Sequence, residues 1–183
     1  MDGYDLFPCI LWSIFSHSVV RISKSINMKI ILPPHHKKAE RVKGFWRISV
    51  TIMKMLRMIN AGNFQGTWKE AAALSHAQVA EKPLSFFVVN KKIKRLFRNH
   101  RVIINARIAS ANNPVKFEEA CMSYPNHRMV QTHRYDQITV VFQVPTWYGG
   151  LKTMSMGMNG IGAYVVQHEV DHALGVHIYD LQR

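Results

Sequence analysis

Gln167-His168-Glu169-Val170-Asp171-His172-Ala173-Leu174-Gly175, near the C-terminus, carries the pattern that decides how this chain folds. Upstream of it and within it, Ile161, Val165, His168 and His172 recur at steps of four, three and four, the spacing that lines side chains along one face of an α-helix. The pattern predicts a helix from Asn159 or Gly160 to Leu174. Gly175 ends it, because glycine accepts the left-handed conformation of a C-terminal cap. His168 and His172 are one turn apart, so both imidazoles can reach one cation, and Glu169 stands beside the open coordination position. The bland reading of the same residues is two histidines on an ordinary helix.

A catalytic metal site of this kind takes three protein ligands and keeps one position for water. The third ligand is open on spacing alone: Cys121, Cys9, His76, His127, His133 and His177 all qualify. Cys121 lies in Glu118-Glu119-Ala120-Cys121-Met122-Ser123-Tyr124-Pro125, between two predicted strands, and a free cysteine in such a place is ordinarily a small buried hydrophobe.

The rest of the sequence bounds the answer. With 183 residues, 48% of them hydrophobic, the chain fits one globular domain and excludes a disordered one. The formal charge of +13 favours polyanions: RNA, ribosomes or acidic membrane surfaces. The densest basic run is Lys91 to Arg101, whose ordinary reading is a solvated face. Two cysteines do not make a disulfide framework, which points to a reducing compartment. No apolar run approaches the ~20 residues that span a bilayer. Leu6 to Phe15 is apolar but short, and Asp2 and Asp5 precede it, which makes a poor signal peptide. Residues 1–40 read as a poorly ordered N-terminal extension, a targeting presequence or an over-long start with Met28 as the true first residue. Residues 41–183 read as the catalytic domain. Cytoplasm is the expected compartment, with organellar import through the extension left open.

Between these ends, Phe45, Ile48, Ile52, Leu56 and Ile59 predict a helix from Glu40 to Ile59, stopped at Ala61-Gly62-Asn63. Strands are predicted at Ser85–Asn90, Arg101–Ala106 and Gln137–Val144, all rich in β-branched or aromatic residues. Residues 148–162, rich in Gly and Met, read as loop or weak hairpin strands.

Two segments resemble the peptide deformylase family. Gln167 to Gly175 is similar to its signature Q-H-E-x-D-H-L-x-G, departing only at Ala173, and Glu119-Ala120-Cys121-Met122-Ser123 is similar to E-G-C-L-S. The family's first motif, G-x-G-L-A-A-x-Q, is degenerate here as Ala71-Ala72-Ala73-Leu74-Ser75-His76-Ala77-Gln78. Alanine for glycine adds a methyl and narrows the allowed dihedrals where substrate backbone would approach. The resemblance covers residues 41–183.

The resemblance implies an α+β fold, antiparallel sheets around a central helix bearing the motif, and removal of the N-formyl group from formyl-methionyl chains. It implies Cys121, His168 and His172 as ligands of one divalent ion, Fe2+ favoured with Zn2+ as the replacement. It makes Glu169 the general base, and the Gln78 amide and the Met122 N–H the oxyanion donors. Along the substrate it points to Ala73 and Arg128, and Ile161 and Val165 suit the methionine side chain. Arg134 is read as a structural partner of Glu119. A monomer with transient ribosome contact through its basic surface follows as an expectation. Two other readings remain: a zinc peptidase that does not need Cys121, and a homologue with lost turnover that binds ribosomes or RNA.

Overall fold

Strand alternation sorts the core into two halves. Successive residues of β2 (Phe86–Val89) point to opposite faces. Phe86 and Val88 join Leu74 and Ile104 on one side, while Phe87 and Val89 join Ala73 and Ile103 on the other. The computed structural model describes residues 28, 30, 37–62, 71–124 and 129–182. Among them the chain runs α1 (Ser49–Ala61), β1 (Ala73–Ser75), β2, β3 (Val102–Glu119), β4 (Val130–Pro145), β5 (Leu151–Asn159) and α2 (Gly160–Leu174). The strands form one antiparallel sheet in the order β1-β2-β3-β4-β5. α1 covers the first face through Ile52, Met55 and Ile59, and α2 covers the second through Ala163, Val166 and Val170. Each such aliphatic side chain, taken fully out of water, contributes roughly 1.5–3 kcal/mol.

The α+β class is as the sequence predicts, and α2 has the predicted span, closed by Gly175 at φ 78°. Instead of several small sheets, the described strands make one, because β3 and β4 are long enough to serve every neighbour. β3 extends well past Ala106, through a stretch containing Pro114. β2 pairs only with its first residues, Val102 to Ile104, so the remainder is an edge on that side, where proline is tolerated. β4 begins at Val130, seven positions before the expected Gln137, and alternates throughout, with Val130, Thr132, Arg134, Ile138, Val140, Phe142 and Val144 buried. Two of those inward positions are polar, which hides the alternation from a hydrophobicity pattern. Residues 151–159 resolve as strand, with Met156 and Met158 turned into the core.

The first helix is shorter than predicted. Residues 40–48 obey longer-range partners: Glu40 bridges Leu84, and Val42 is held at both backbone atoms by the Asn105 side chain, 2.9 Å each. α1 therefore starts at Ser49 and ends at Ala61, capped by Gly62 at φ 66°.

Candidate metal centre

Cys121 lies two positions past the end of β3, in a turn closed by the Tyr124 N–H donating to the Cys121 carbonyl at 3.0 Å. The same turn aims the Ser123 N–H at Cys121 Sγ, 3.5 Å away. α2 brings His168 and His172 against it. Cys121 Sγ lies 3.2 Å from His172 Nε2, which in turn lies 3.1 Å from His168 Nε2. All three potential ligand atoms fall within 4.8 Å of one another. A tetrahedral ion, ~2.0 Å from nitrogen and ~2.3 Å from sulfur, spaces its ligand atoms roughly 3.3–3.6 Å apart. One thiolate and two imidazoles near that spacing suit Zn2+ or Fe2+, so the donor set fits a divalent ion.

The candidate ligands are held from behind. Glu119, the last residue of β3, places Oε2 2.6 Å from His168 Nδ1. Burial pushes the Glu119 carboxyl up, but the bond and charge of His168, the Arg134 guanidinium and the Thr132 hydroxyl bring it down to about 2. An ionised carboxylate can only accept, so Nδ1 carries a proton and Nε2 is the nitrogen turned toward Cys121 and His172. Arg134 Nε donates to Glu119 Oε1 at 2.8 Å, Thr132 Oγ1 donates to the same oxygen at 2.5 Å, and Arg134 Nη1 bonds Asp171 on α2. Gln167 fastens the helix once more: its Oε1 accepts from Tyr135 N–H at 2.9 Å and its Nε2 donates to the Tyr135 carbonyl at 2.8 Å. Thus α2 is clamped to β4, and the strand's two polar inward positions serve the site.

Electrostatics sharpen the donor set. Burial pushes the Cys121 thiol up, yet the interaction with His168 and the Ser123 groups holds its pKa below the ordinary value, favouring thiolate. Burial and the positive His168 hold His172 well below 6.5, so it is a neutral imidazole. Glu169 is buried, and burial drives its carboxyl to about 8. Its Oε2 has no hydrogen-bond partner among the described residues, so the group is committed to no structural bond at that atom. Gln78 reaches the same place from the short 3-10 turn His76–Gln78. Its Oε1 accepts from Ser75 N–H at 2.9 Å, which turns Nε2 toward Ser123 Oγ at 3.3 Å and Cys121 Sγ at 3.6 Å.

Residues 29–183 match the family model described as polypeptide deformylase. The chain belongs to that family. Membership makes this deformylase a hydrolase acting on formyl-methionyl peptides. A solved peptide deformylase from Thermotoga maritima is 25% identical, with 85% of this chain and 97% of that one covered and a TM-score of 0.68. The fold is shared with Arabidopsis thaliana deformylase 1B, solved with an inhibitor (20% identity, 85% and 82% covered, TM-score 0.68). It is shared too with a Synechococcus elongatus deformylase in complex with actinonin (20% identity, 87% and 81% covered, TM-score 0.69). A search of curated proteins gives no match to the sequence.

Of the residues that sequence singles out, the deformylase fold gathers Cys121, His168, His172, Glu169 and Gln78. Met122 follows Cys121 in the turn, its side chain packed against the α1 side of the core. Ala73 pairs with Val89 in β1, its methyl in the α2 side of the core at 5% exposure. Ala71 to Ala73 are absent from the residues with positive φ, so these alanines sit where any residue can. Val165 is half-buried against the same core, whereas Ile161 is 55% exposed on the first turn of α2. Arg128 and His127 lie outside the described residues. His76 takes no ligand role: its Nδ1 accepts from Leu84 N–H at 2.9 Å and its ring stacks on Phe86. Arg134 pairs with Glu119 as read from sequence. The second half of that network, Glu119 to His168 and Arg134 to Asp171, was missed; its one signal was charged residues inside otherwise alternating segments.

Proposed function

We propose that this deformylase strips the formyl group from nascent formyl-methionyl chains, with Cys121, His168 and His172 holding one divalent ion, Fe2+ by preference and Zn2+ in its place. The single observation that supports it is one sulfur and two ring nitrogens at 3.1–3.2 Å contacts, beside the buried Glu169 carboxyl with an unpartnered oxygen. An ion bound there supplies Lewis acidity, lowering the pKa of water and polarising the formyl carbonyl.

The protein's groups do the rest. Ionised beside a bound cation, Glu169 takes a proton from the attacking water as its oxygen bonds to the formyl carbon, and returns it to the amine nitrogen as the carbon–nitrogen bond breaks. Formate and a free amino terminus result. The developing oxyanion accepts from the Gln78 Nε2 amide and the Met122 N–H. β1 is the first strand of the sheet, so its outer edge, carrying the Ala73 backbone, can take an extended substrate as an added strand. Val165 and Ile161 provide apolar surface for methionine, and Arg128 steers the chain.

The same proposal places a monomer in the cytoplasm, touching the ribosome transiently through a surface whose charge of +13 suits ribosomal RNA. Among the described residues no helix is long and apolar enough to cross a membrane.

The test is anaerobic protein loaded with Fe2+ or Ni2+, a formyl-Met tripeptide, and Glu169→Ala beside wild type. Wild type releases formate and the variant falls by at least ~100-fold; equal rates refute the mechanism. Cys121→Ala separates the alternatives, since a deformylase loses its metal and a peptidase using only the helix motif keeps it.

A further inference from the structure

α1 buries Ile52, Met55 and Ile59, but its outward side is not the plain polar face of a surface helix. Val50 and Met53 lie there, 65% and 45% exposed, and Trp46, 61% exposed, precedes the helix by three positions. Lys54 and Arg57 interleave with Val50 and Met53 on the same side, Arg47 follows Trp46 just ahead of the helix, and residues 41–62 contain no Asp or Glu.

A second element joins this face. The Gly149 N–H donates to the Thr146 carbonyl and the Thr146 N–H to the Gly150 carbonyl, both at 3.0 Å, closing a tight turn between β4 and β5. Trp147 and Tyr148 stand at its tip, 80% and 66% exposed, their rings at 88° to each other. Gly149 has φ +83°, and a Cβ there would meet Trp46 Nε1 at 1.8 Å. The indole occupies the room a side chain would need, so this glycine is what lets the entry to α1 and the hairpin tip share one surface. Exposed Lys152 follows the turn, and residues 137–168 again contain no acidic side chain. Single exposed hydrophobics are ordinary, but five joined across two elements and ringed by cations are an interaction surface.

We propose that this face docks on anionic lipid: the hairpin tip and the outer side of α1 enter the headgroup boundary, while Arg47, Lys54, Arg57 and Lys152 meet lipid phosphates. Charge complementarity selects an anionic partner. The aliphatic residues select lipid over RNA, because Val50 and Met53 offer no π-face to a base and no donor to a phosphate. The perpendicular rings of Trp147 and Tyr148 form no parallel stacking platform. Indole and phenol, by contrast, partition at the bilayer–water boundary. The attachment is peripheral, by an amphipathic surface lying in the interface.

The test is cosedimentation of the full, metal-loaded chain with vesicles of phosphatidylcholine alone and of an equal mixture with phosphatidylglycerol. Binding is expected to the mixed vesicles only, weakening as salt rises. Trp147→Ser with Tyr148→Ser lowers partitioning about tenfold. Arg47→Gln with Arg57→Gln lowers it about 25-fold, roughly fivefold per cation. Lys94→Gln with Arg95→Gln, an equal charge loss in the other basic run, changes it by less than about threefold. All three double variants keep the wild-type rate on a soluble formyl-Met tripeptide, which certifies their fold. The proposal is overturned by absent vesicle binding, by binding that the Trp147/Tyr148 pair does not alter, or by equal losses in the Lys94/Arg95 control. It is overturned equally by a single-stranded RNA oligonucleotide that binds more tightly than vesicles and is released by the same variants.

Discussion

Glu119 and His168, 49 positions apart in the chain, meet through a 2.6 Å contact between carboxylate Oε2 and ring Nδ1. The contact fixes which ring nitrogen faces Cys121 and His172. Replacing Glu119 with Gln keeps the shape and removes the charge, and metal affinity should fall 10- to 100-fold, read by competition with a chelator. Glu119→Ala should also destabilise the fold by about 3 kcal/mol in urea, because it strips the 3%-exposed Arg134 of one of its two carboxylate partners. Unchanged affinity in Glu119→Gln would mean that the ring is oriented by something else.

Gln78 is 1% exposed and spends Oε1 on the Ser75 N–H, leaving Nε2 aimed at Cys121 and Ser123. Gln78→Ala should lower kcat by about 100-fold or more, ~3 kcal/mol of transition-state stabilisation, while metal content stays at the wild-type level. A loss confined to KM would contradict a role on the oxyanion.

Burial holds the His76 imidazole down to about 4, below its ordinary 6.5. Between those values the unfolded chain takes up a proton that the folded one refuses, so stability falls as pH drops from about 6.5 toward 4 and levels off below. Protonation at Nδ1 would also displace the Leu84 N–H donated to it. The difference in unfolding free energy between pH 7 and pH 5 should shrink in His76→Gln by about 1–2 kcal/mol, allowing for solvent screening. Parallel pH profiles for the two proteins would show that His76 is not responsible.

Asn105 stands at φ 51° inside β3, beside a register shift, with its amide bonded to both backbone atoms of Val42 and to Gln143. Asn105→Gly loses the hydrogen bonds and should cost about 2–3 kcal/mol. Asn105→Ala adds left-handed strain, about 1 kcal/mol more. Equilibrium denaturation of the pair separates the two contributions, and a more stable alanine variant would contradict the strained conformation.

What was legible in the sequence, and what was not, follows from the range of the forces. α2 is legible to its terminal residues because its periodicity and its capping glycine are local. Periodicity overextends the first helix because Phe45 and Ile48 keep helical spacing while Glu40 and Val42 answer to Leu84 and Asn105, more than forty positions away. Pattern alone makes β3 and β4 too short because their polar inward residues, Thr132, Arg134 and Glu119, look like surface in a hydrophobicity pattern.

By itself the sequence determined the helix that carries the motif, the choice of Cys121, His168 and His172 as candidate ligands through two short motifs, and the family. Those are properties of neighbouring residues, set by 3.6-residue geometry and by the chemistry of sulfur, imidazole and carboxylate. Only the tertiary structure decided that Glu119 braces His168, that Arg134 ties strand to helix, and that Trp46 shares a surface with Trp147 and Tyr148 through the bare backbone of Gly149. Each of those contacts joins segments distant in sequence, and the pairing of strands and the packing of side chains, which no local pattern encodes, brings them together.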